Sequence, residues 1–249
     1  MAELIQVEHR ERVVSITLNR PERRNALSFP LLTALGEALS NGISDDTTAV
    51  VLTGAGNCFS AGADFTDLKG TLDDLAMDDA IEAVTSSIRG LPVPVIAAIN
   101  GPCLGGAFDL AATCDVRIAS VNAIFQVPAT RMGILYNPKS VARMRLLFGR
   151  DIVFRLMIIG ERLDAEAALG AGIVSQVVAE GEGLNAALAM AQGTEANLPA
   201  AVAATKAFLN AFDSDDYEPR HWQKVREELL SSPDRLEAVS HARARHGRS

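Results

Sequence analysis

The chain has 249 residues, of which 48% are hydrophobic, 5% aromatic and 22% charged, and such values are typical of a globular protein rather than a disordered or fibrous one. At this length the chain can bury a core without metal or disulfide support, so we expect one domain, or one domain with a small appendage. The formal net charge of -8 is unfavourable for binding nucleic acid. No apolar run approaches the ~20 residues of a membrane-spanning helix, and the first residues lack the apolar core of a signal peptide.

The cysteines indicate the compartment. There are three of them, Cys58, Cys103 and Cys114, and no CxxC pair occurs. An odd number without pairing argues against a secreted disulfide framework and against a structural zinc site. We therefore expect a cytoplasmic protein that binds no metal, no nucleic acid and no membrane, with Cys103 and Cys114 as small buried hydrophobic residues.

The first half of the chain predicts strands that alternate with helices. Residues 5–18 show the alternation of two short strands around a polar turn, and Ser28 caps a helix with apolar residues at helical spacing. The later predicted elements are a strand at 48–53, an acidic helical segment at 67–89, a strand at 93–99, a turn at 100–102, a helix at 105–112 and a strand at 115–119. This order is typical of strand-turn-helix units in an α/β protein.

The second half of the chain predicts mostly helices. The predicted elements are a strand at 123–127, helices at 138–148, 152–159 and 165–169, a strand at 173–178, and helices only at 183–193, 198–212 and 218–249. The sheet therefore belongs to the earlier part of the chain and the helices dominate the end.

Two familiar motifs are incomplete. The segment from Val50 to Gly56 resembles the start of a dinucleotide fingerprint, but Phe59 stands in place of the third glycine and the required helix does not follow. The four histidines all lie near the termini: His9, His221, His241 and His246. A Ser-His-Asp or Cys-His apparatus in the middle of the fold is therefore not expected.

Two glycine-containing turns carry the functional signal. The small residues of 59–64 let the backbone approach a ligand, with the amide of Ala63 facing outward. In 101–110 a strand runs through a turn into a helix, so the amides around Gly106 lie at a helix N-terminus that favours an anion. Two such amides that converge form an oxyanion hole.

Asp109 follows Gly106 by one helical turn. Its carboxylate is therefore predicted on the face toward which the Gly106 amide points, as a candidate acid or base. The alternative is that the glycines only shape tight turns and that Asp109 is a solvated helix residue. Spacing alone leaves both interpretations open.

Several longer segments occur in an order that identifies a family. They are N-R-P-x-x-x-N-A-L at 19–27, V-L-T-G within 50–54, F-x-A-G-A-D at 59–64, P-x-I-A-x-I-x-G-x-x-x-G-G at 94–106, C-D at 114–115 and A-x-x-x-G-x-x-x-x-V within 165–178. In this order they resemble the crotonase superfamily, the enoyl-CoA hydratase and isomerase family, over roughly residues 4–210.

The resemblance implies a fold and a ligand. The expected fold is α/β, a crotonase-like spiral of strand-strand-helix units that ends in a C-terminal helical region. Residues 1–195 would form the acyl-CoA-binding core, and residues 196–249 an oligomerisation region of trimers or hexamers. The ligand would be an acyl-CoA thioester, with coenzyme A as part of the substrate and no further cofactor. The amides of Ala63 and Gly106 would polarise the thioester carbonyl.

The resemblance also implies contacts to the substrate. Arg23 and Arg24 are expected to meet the CoA phosphates, although an interpretation as solvated surface arginines holds equally for each. The remaining positions that the resemblance assigns to substrate binding are Ala26, Ala61, Asp64, Leu68 and Ala129.

The chain departs from the family where a hydratase carries its two glutamates. The first position holds Asp109, whose side chain is shorter by one methylene. The second falls in 125–129, F-Q-V-P-A, where Ala129 can neither donate nor accept a side-chain proton. Hydration by the usual pair is therefore not expected.

Tyr136 lies in G-I-L-Y-N at 133–137, which resembles the G-x-x-Y-N of the family's methylmalonyl-CoA decarboxylase-like members. Its hydroxyl would then hydrogen-bond a leaving carboxylate; alternatively, Tyr136 is a buried aromatic whose hydroxyl is satisfied by the backbone. The expected function is that of an enoyl-CoA hydratase-like or isomerase-like enzyme that stabilises a thioester enolate. A decarboxylase-like lyase and a non-catalytic acyl-CoA-binding protein are the alternatives.

Overall fold

A computed structural model describes residues 3–213 and 217–246, with side chains as far as residue 244. The main sheet has six strands in the order β1-β2-β3-β4-β6-β9. Their bounds are β1 (Ile5–Arg10), β2 (Val13–Leu18), β3 (Ala49–Gly54), β4 (Val95–Ile99), β6 (Val116–Ser120) and β9 (Gln176–Val178). Strands β1 and β2 form an antiparallel hairpin and the other neighbours pair in parallel, so the predicted opening hairpin is confirmed.

A second, smaller sheet has three strands in the order β5-β7-β8. They are β5 (Cys103–Leu104), β7 (Ile124–Gln126) and β8 (Leu163–Asp164). Cys103 pairs with Phe125 in parallel, and Phe125 pairs with Leu163 antiparallel. Strands of two residues are too short to show alternation, which is why the sequence predicted neither β5 nor β8.

The described residues form nine α-helices. Their bounds are α1 (Phe29–Asn41), α2 (Leu75–Gly90), α3 (Gly106–Thr113), α4 (Pro138–Phe154), α5 (Ala165–Gly170), α6 (Gly183–Gln192), α7 (Pro199–Asp213), α8 (Pro219–Leu230) and α9 (Pro233–His246). Oγ of Ser28 accepts a hydrogen bond from the Leu31 amide, which confirms the predicted cap. Gly149, with φ 79° and ψ 165°, interrupts α4. This break agrees with the prediction of two separate helices at 138–148 and 152–159.

The central strands of the main sheet, β2, β3, β4 and β6, are largely buried on both of their faces. Val14, Ile16 and Leu52 point to a large core that also contains the apolar faces of α1, α2 and α3. Val13 and Val51 point the other way, into a smaller core covered by α6. Strand β2 therefore does not alternate between buried and exposed residues as predicted, because helices cover both faces of a parallel sheet.

The C-terminal helices are joined to the sheet through α7. Nζ of Lys206 is buried and donates hydrogen bonds to the carbonyl oxygens of Ile88 (3.1 Å) and Val93 (2.9 Å) and to Oδ2 of Asp115 (2.8 Å). Helix α8 packs on α7, with the rings of Phe208 and Trp222 5.0 Å apart. The α/β architecture with a C-terminal helical region is confirmed, whereas a domain boundary at residue 195 and a role of 196–249 in oligomerisation stay predictions.

Within the ranges that the structure describes, no helix combines the length and the apolarity needed to cross a bilayer. The same part of the chain contains no group of three or more His, Cys, Asp or Glu side chains placed to hold a metal ion.

Candidate active site

The two glycine turns that the sequence singled out lie against each other. The amide of Ser60 donates to the Pro102 carbonyl at 3.2 Å, and the amide of Leu104 donates to the Ser60 carbonyl at 3.1 Å. These two main-chain hydrogen bonds form an isolated parallel bridge between Ser60 and Cys103. The backbone itself therefore fixes the position of one turn relative to the other.

Gly62 lies at the closest approach of the two turns. Its φ of +88° is a conformation that residues with a side chain rarely adopt. A Cβ at this position would lie 2.6 Å from the carbonyl oxygen of Leu104 and 3.4 Å from the amide nitrogen of Gly106. Glycine is therefore required for the two turns to meet.

The amides of Ala63 and Gly106 are unfilled donors. On either side of Ala63, the Gly62 carbonyl accepts from Leu27 (2.8 Å) and the Asp64 amide donates to Leu27 (2.9 Å). Neither the Ala63 nor the Gly106 N–H has an acceptor among the described residues. Gly106 begins α3, where an N–H has no intrahelical partner and the helix dipole is positive. Main-chain N–H groups without acceptors are the donors from which an oxyanion hole is built.

Asn25 holds the loop that leads to this site. It is fully buried, with φ 53°. Its Oδ1 accepts from the Arg20 amide at 2.9 Å, and its Nδ2 donates to the carbonyls of Ala55 (2.9 Å) and Cys58 (2.7 Å). This structural role of the asparagine in N-A-L was not deduced from the sequence, since the two carbonyls to which it donates lie about 30 residues further along the chain.

Asp64 has donors of its own within the chain. Its carboxylate accepts from the Thr66 amide (3.0 Å), the Thr66 hydroxyl (2.8 Å) and the Arg20 guanidinium (2.5 Å). The hydrogen bonds from Thr66 and the charge of Arg20 lower the pKa of Asp64 to about 2, although burial opposes them. This arrangement stabilises the turn before any ligand arrives, and the predicted substrate contact of Asp64 stays a prediction.

The other predicted substrate residues form the rim of the first turn. The Ala61 amide donates to the Arg24 carbonyl at 3.0 Å. Arg23 and Arg24 are exposed, and the half-buried residues of the rim are Ala26, Ala61, Ala63 and Leu68. Two exposed arginines therefore lie in the loop whose backbone is hydrogen-bonded to the turn that carries the Ala63 amide.

Asp109 is buried, with 1% of its surface exposed, so the interpretation as a solvated helix residue is wrong. Oγ of Ser140 donates to one carboxylate oxygen at 2.5 Å and Arg143 donates to the other at 2.6 Å. Burial raises the pKa of Asp109, and Arg143 and Ser140 oppose that rise. Each oxygen retains a second lone pair that can accept a proton. The acid–base role of Asp109 therefore stays a prediction. Both donors come from α4, more than 30 residues away, and no local pattern around Asp109 indicates them.

The hydroxyl of Tyr136 is unpartnered. The residue is half-buried and packs against the core, yet no described group hydrogen-bonds its hydroxyl. The interpretation that the backbone satisfies this hydroxyl is therefore wrong. Burial, Asp109 and Asp78 raise the pKa of Tyr136 well above its ordinary value, so the hydroxyl remains a hydrogen-bond donor at neutral pH.

Ala129 begins a short 3-10 turn, Ala129–Met132, and is 7% exposed. The Ala129 amide donates to the Val127 carbonyl (2.9 Å) and its carbonyl accepts from Ile134 (3.1 Å). The position is therefore held by the backbone and brings no acid–base group to the site.

A cavity of about 890 Å³ lies against α7 and is lined in part by Arg143, Asp115 and Lys206. Neither Ala63 nor Gly106 lines it. The cavity therefore does not coincide with the unfilled amide donors, which remain the centre of the candidate site.

Comparisons with known proteins identify the family of the chain. The sequence model of the family described as enoyl-CoA hydratase/isomerase matches residues 8–239. The chain is 34% identical over 244 residues to a probable enoyl-CoA hydratase of Mycobacterium leprae, covering 94% of each chain. It is 33% identical over 232 residues to the mitochondrial Delta(3,5)-Delta(2,4)-dienoyl-CoA isomerase of Mus musculus, covering 86% of this chain and 70% of the isomerase.

Among solved structures, an enoyl-CoA hydratase/carnithine racemase from Magnetospirillum magneticum superposes with a TM-score of 0.90 at 29% identity, covering 98% of this chain and 94% of that one. The crotonase-like fold predicted from the motifs is thereby confirmed. The chain belongs to the enoyl-CoA hydratase/isomerase family of the crotonase superfamily.

Proposed function

We propose that the protein binds an acyl-CoA thioester and stabilises its enolate with the amides of Ala63 and Gly106. The observation that carries the proposal is the pair of adjacent main-chain N–H groups without acceptors, one of them at the start of α3. Such donors favour the charge that develops on a carbonyl oxygen, by about 3–4 kcal/mol for each donor in a dry site.

The reaction best supported is proton transfer at carbon that shifts a double bond of an enoyl-CoA. A shift needs an enolate and a group that takes and returns a proton, and no activated water. Addition of water needs a second group, and Ala129 supplies none. Asp109 is the acid–base residue predicted from the sequence. The likeness to the mouse dienoyl-CoA isomerase agrees with this reaction.

Decarboxylation of a malonyl-type thioester is the second candidate, because the Tyr136 hydroxyl is free to donate to a substrate carboxylate. The electrostatics oppose it. Asp109 and Asp78 both raise the pKa of Tyr136, and the same negative charges would repel a carboxylate placed at that hydroxyl. We therefore rank isomerisation above decarboxylation.

The CoA phosphates are proposed to meet Arg23 and Arg24, which are exposed beside the Ala61–Ala63 turn. In a chain of net charge -8, phosphate recognition depends on such local cations. If these arginines bind the phosphates, the affinity for CoA should fall with ionic strength and in the Arg23→Ala/Arg24→Ala variant.

Assembly into trimers or hexamers, and a cytoplasmic location, are proposed from the family resemblance.

The proposal is tested with four probes on the full chain: trans-3-hexenoyl-CoA for isomerisation, crotonyl-CoA for hydration, methylmalonyl-CoA for decarboxylation and hexanoyl-CoA for binding. We expect isomerisation, weak hydration and no decarboxylation. Asp109→Asn tests the acid–base role predicted from the sequence, because loss of that role lowers isomerisation and leaves hexanoyl-CoA binding nearly intact. Binding without turnover of any probe would instead show an acyl-CoA-binding protein, and no binding would refute the ligand class.

A further inference from the structure

Asp78 is a half-buried carboxylate beside the site that the sequence did not single out. It lies on α2, one turn before Ile81, whose Cδ1 would be 2.8 Å from a Cβ at Gly106. Glu82, the next residue on the same face, lies 3.9 Å from Arg143. Residues three and four apart share a helix face, so Asp78 stands on the face of α2 that turns toward α3 and the start of α4.

The Asp78 carboxylate has no partner among the residues that the structure describes. Within the described part of the chain, no group donates a hydrogen bond to it or forms an ion pair with it. The neighbouring carboxylates differ, because Asp64, Glu82 and Asp109 all accept hydrogen bonds. Leaving a partly buried charge without a donor costs free energy. A carboxylate without a described donor, one helical turn from the residue that packs on Gly106, therefore points to a use for it.

The surroundings of Asp78 suit proton transfer. Burial raises the pKa of Asp78, and the negative charges of Asp109 and Asp79 raise it further. Asp109 faces Asp78 from α3. The Tyr136 hydroxyl faces it from the segment before α4, and the charge of Asp78 also raises the pKa of that hydroxyl. On α4, Arg143 and Lys139 carry positive charges, and both form ion pairs with Glu82, one helical turn after Asp78. A carboxyl group with a raised pKa is a better base toward carbon and remains able to return the proton near neutral pH.

We propose that Asp78, rather than the Asp109 predicted from the sequence, removes and returns the proton of the substrate, because both carboxylate oxygens of Asp109 already accept hydrogen bonds from Ser140 and Arg143. Asp78 then takes the role for which Ala129 offers no carboxylate. The inference rests on the proposed isomerisation. The Asp78 carboxylate takes the α proton of a 3-enoyl thioester, and the C–H electron pair moves toward the carbonyl, whose oxygen becomes the anion held by Ala63 and Gly106. The carbonyl then re-forms, the double bond moves to the α–β position, and the γ carbon takes the proton from the Asp78 carboxylic acid. The proton is conserved and nothing is oxidised or reduced.

The test compares Asp78→Asn with Asp79→Asn. Asp79 is the exposed neighbour of Asp78 on α2, so the second variant makes the same charge change one residue away. The readouts are isomerisation of trans-3-hexenoyl-CoA, exchange of the α protons of hexanoyl-CoA in D2O, hexanoyl-CoA affinity and thermal unfolding. Asp78→Asn should lower kcat and the exchange rate by about 100-fold or more without loss of binding. Asp79→Asn should stay close to the native rates, and Asp78→Glu should recover part of the activity.

The outcomes separate this inference from the proposed function. Equal turnover by Asp78→Asn and Asp79→Asn would overturn the role of Asp78 and leave the isomerase proposal standing. Binding of hexanoyl-CoA by the native chain without exchange or turnover would overturn both. Should Asp78→Asn fail to fold, the acidic limb of the kcat/KM profile decides. This acidic limb should move to lower pH in Asp79→Asn, because Asp79 then no longer raises the pKa of Asp78. An acidic limb at the same pH in the native chain and in Asp79→Asn would contradict the assignment.

Discussion

Arg143 donates a 2.6 Å hydrogen bond to Oδ1 of Asp109, and both side chains are buried where α3 meets α4. Ser140, one turn earlier on α4, donates to the other oxygen at 2.5 Å. A charge held away from water depends on its partner, since removal of either leaves the other uncompensated. The pair therefore joins the helix that carries the Gly106 amide to the helix that follows Tyr136.

Arg143→Met should destabilise the protein by about 3–5 kcal/mol, because Asp109 is left buried without its cation. Urea unfolding measures the change. Arg145→Met is the matched control, since Arg145 is exposed on the same helix. The double variant Asp109→Leu/Arg143→Met should recover most of the loss, because it leaves no unpaired charge. Similar unfolding midpoints for Arg143→Met and Arg145→Met would contradict the importance of this ion pair.

Gly106→Pro should lower isomerisation by about 100-fold or more, because it removes one amide donor of the hole. Proline is tolerated at the first position of a helix, but its Cβ would crowd Cδ1 of Ile81, 2.8 Å away. Gly106→Ala carries the same Cβ and keeps the N–H, so it isolates the steric effect. A Gly106→Pro enzyme as active as Gly106→Ala would show that this amide does not act on the thioester.

Ala129→Glu should raise the weak hydration of crotonyl-CoA, because it restores a carboxylate at the position where hydratases of the family carry one. Ala129→Gln has nearly the same size and cannot take a proton from water, which makes it the control. Hydration is followed by the loss of absorbance of the conjugated thioester. Rapid hydration by the native chain would show that water is activated without a carboxylate at this position.

Asp64→Asn should change the pH dependence of stability. The folded-state pKa of Asp64 is lowered to about 2, from an unfolded-state value of about 3.9. Its ionised form is therefore favoured by folding, and this contribution to stability is fully present above about pH 4 and is lost as the pH falls toward 2. Unfolding free energies of the native chain and Asp64→Asn should differ most at neutral pH and converge in acid. Asp45→Asn, at an exposed position, should run parallel to the native curve.

Local patterns predicted much of the fold. Ser28 before a proline and a run of leucines predicted the start of α1, and β-branched runs predicted β3 and β4. The same holds for the two turns around Gly62 and Gly106, because glycine after a strand permits the positive φ and the close backbone approach that such turns require. These signals are local in the sequence, although β3 and β4 also pair with strands that lie far along the chain.

The sequence could not predict the partners that complete the site. Asp109 was recognised by its spacing from Gly106, but its donors Ser140 and Arg143 depend on how α4 docks. Asp78 was one acidic residue among several in a helical segment, and only the packing of α2 beside α3 distinguishes it from Asp79. Lys206 was not distinguished from a surface lysine, because the carbonyls that it meets belong to residues more than 100 positions away.

The bridge between Ser60 and Cys103 joins the two turns of the hole through peptide groups alone. Every non-proline residue carries the same peptide donor and acceptor, so side chains around the bridge can be exchanged during evolution while the spacing of the two amides is inherited. A lineage can in this way abandon one reaction and acquire another, as the alanine at position 129 suggests, without rebuilding the device that binds the anion.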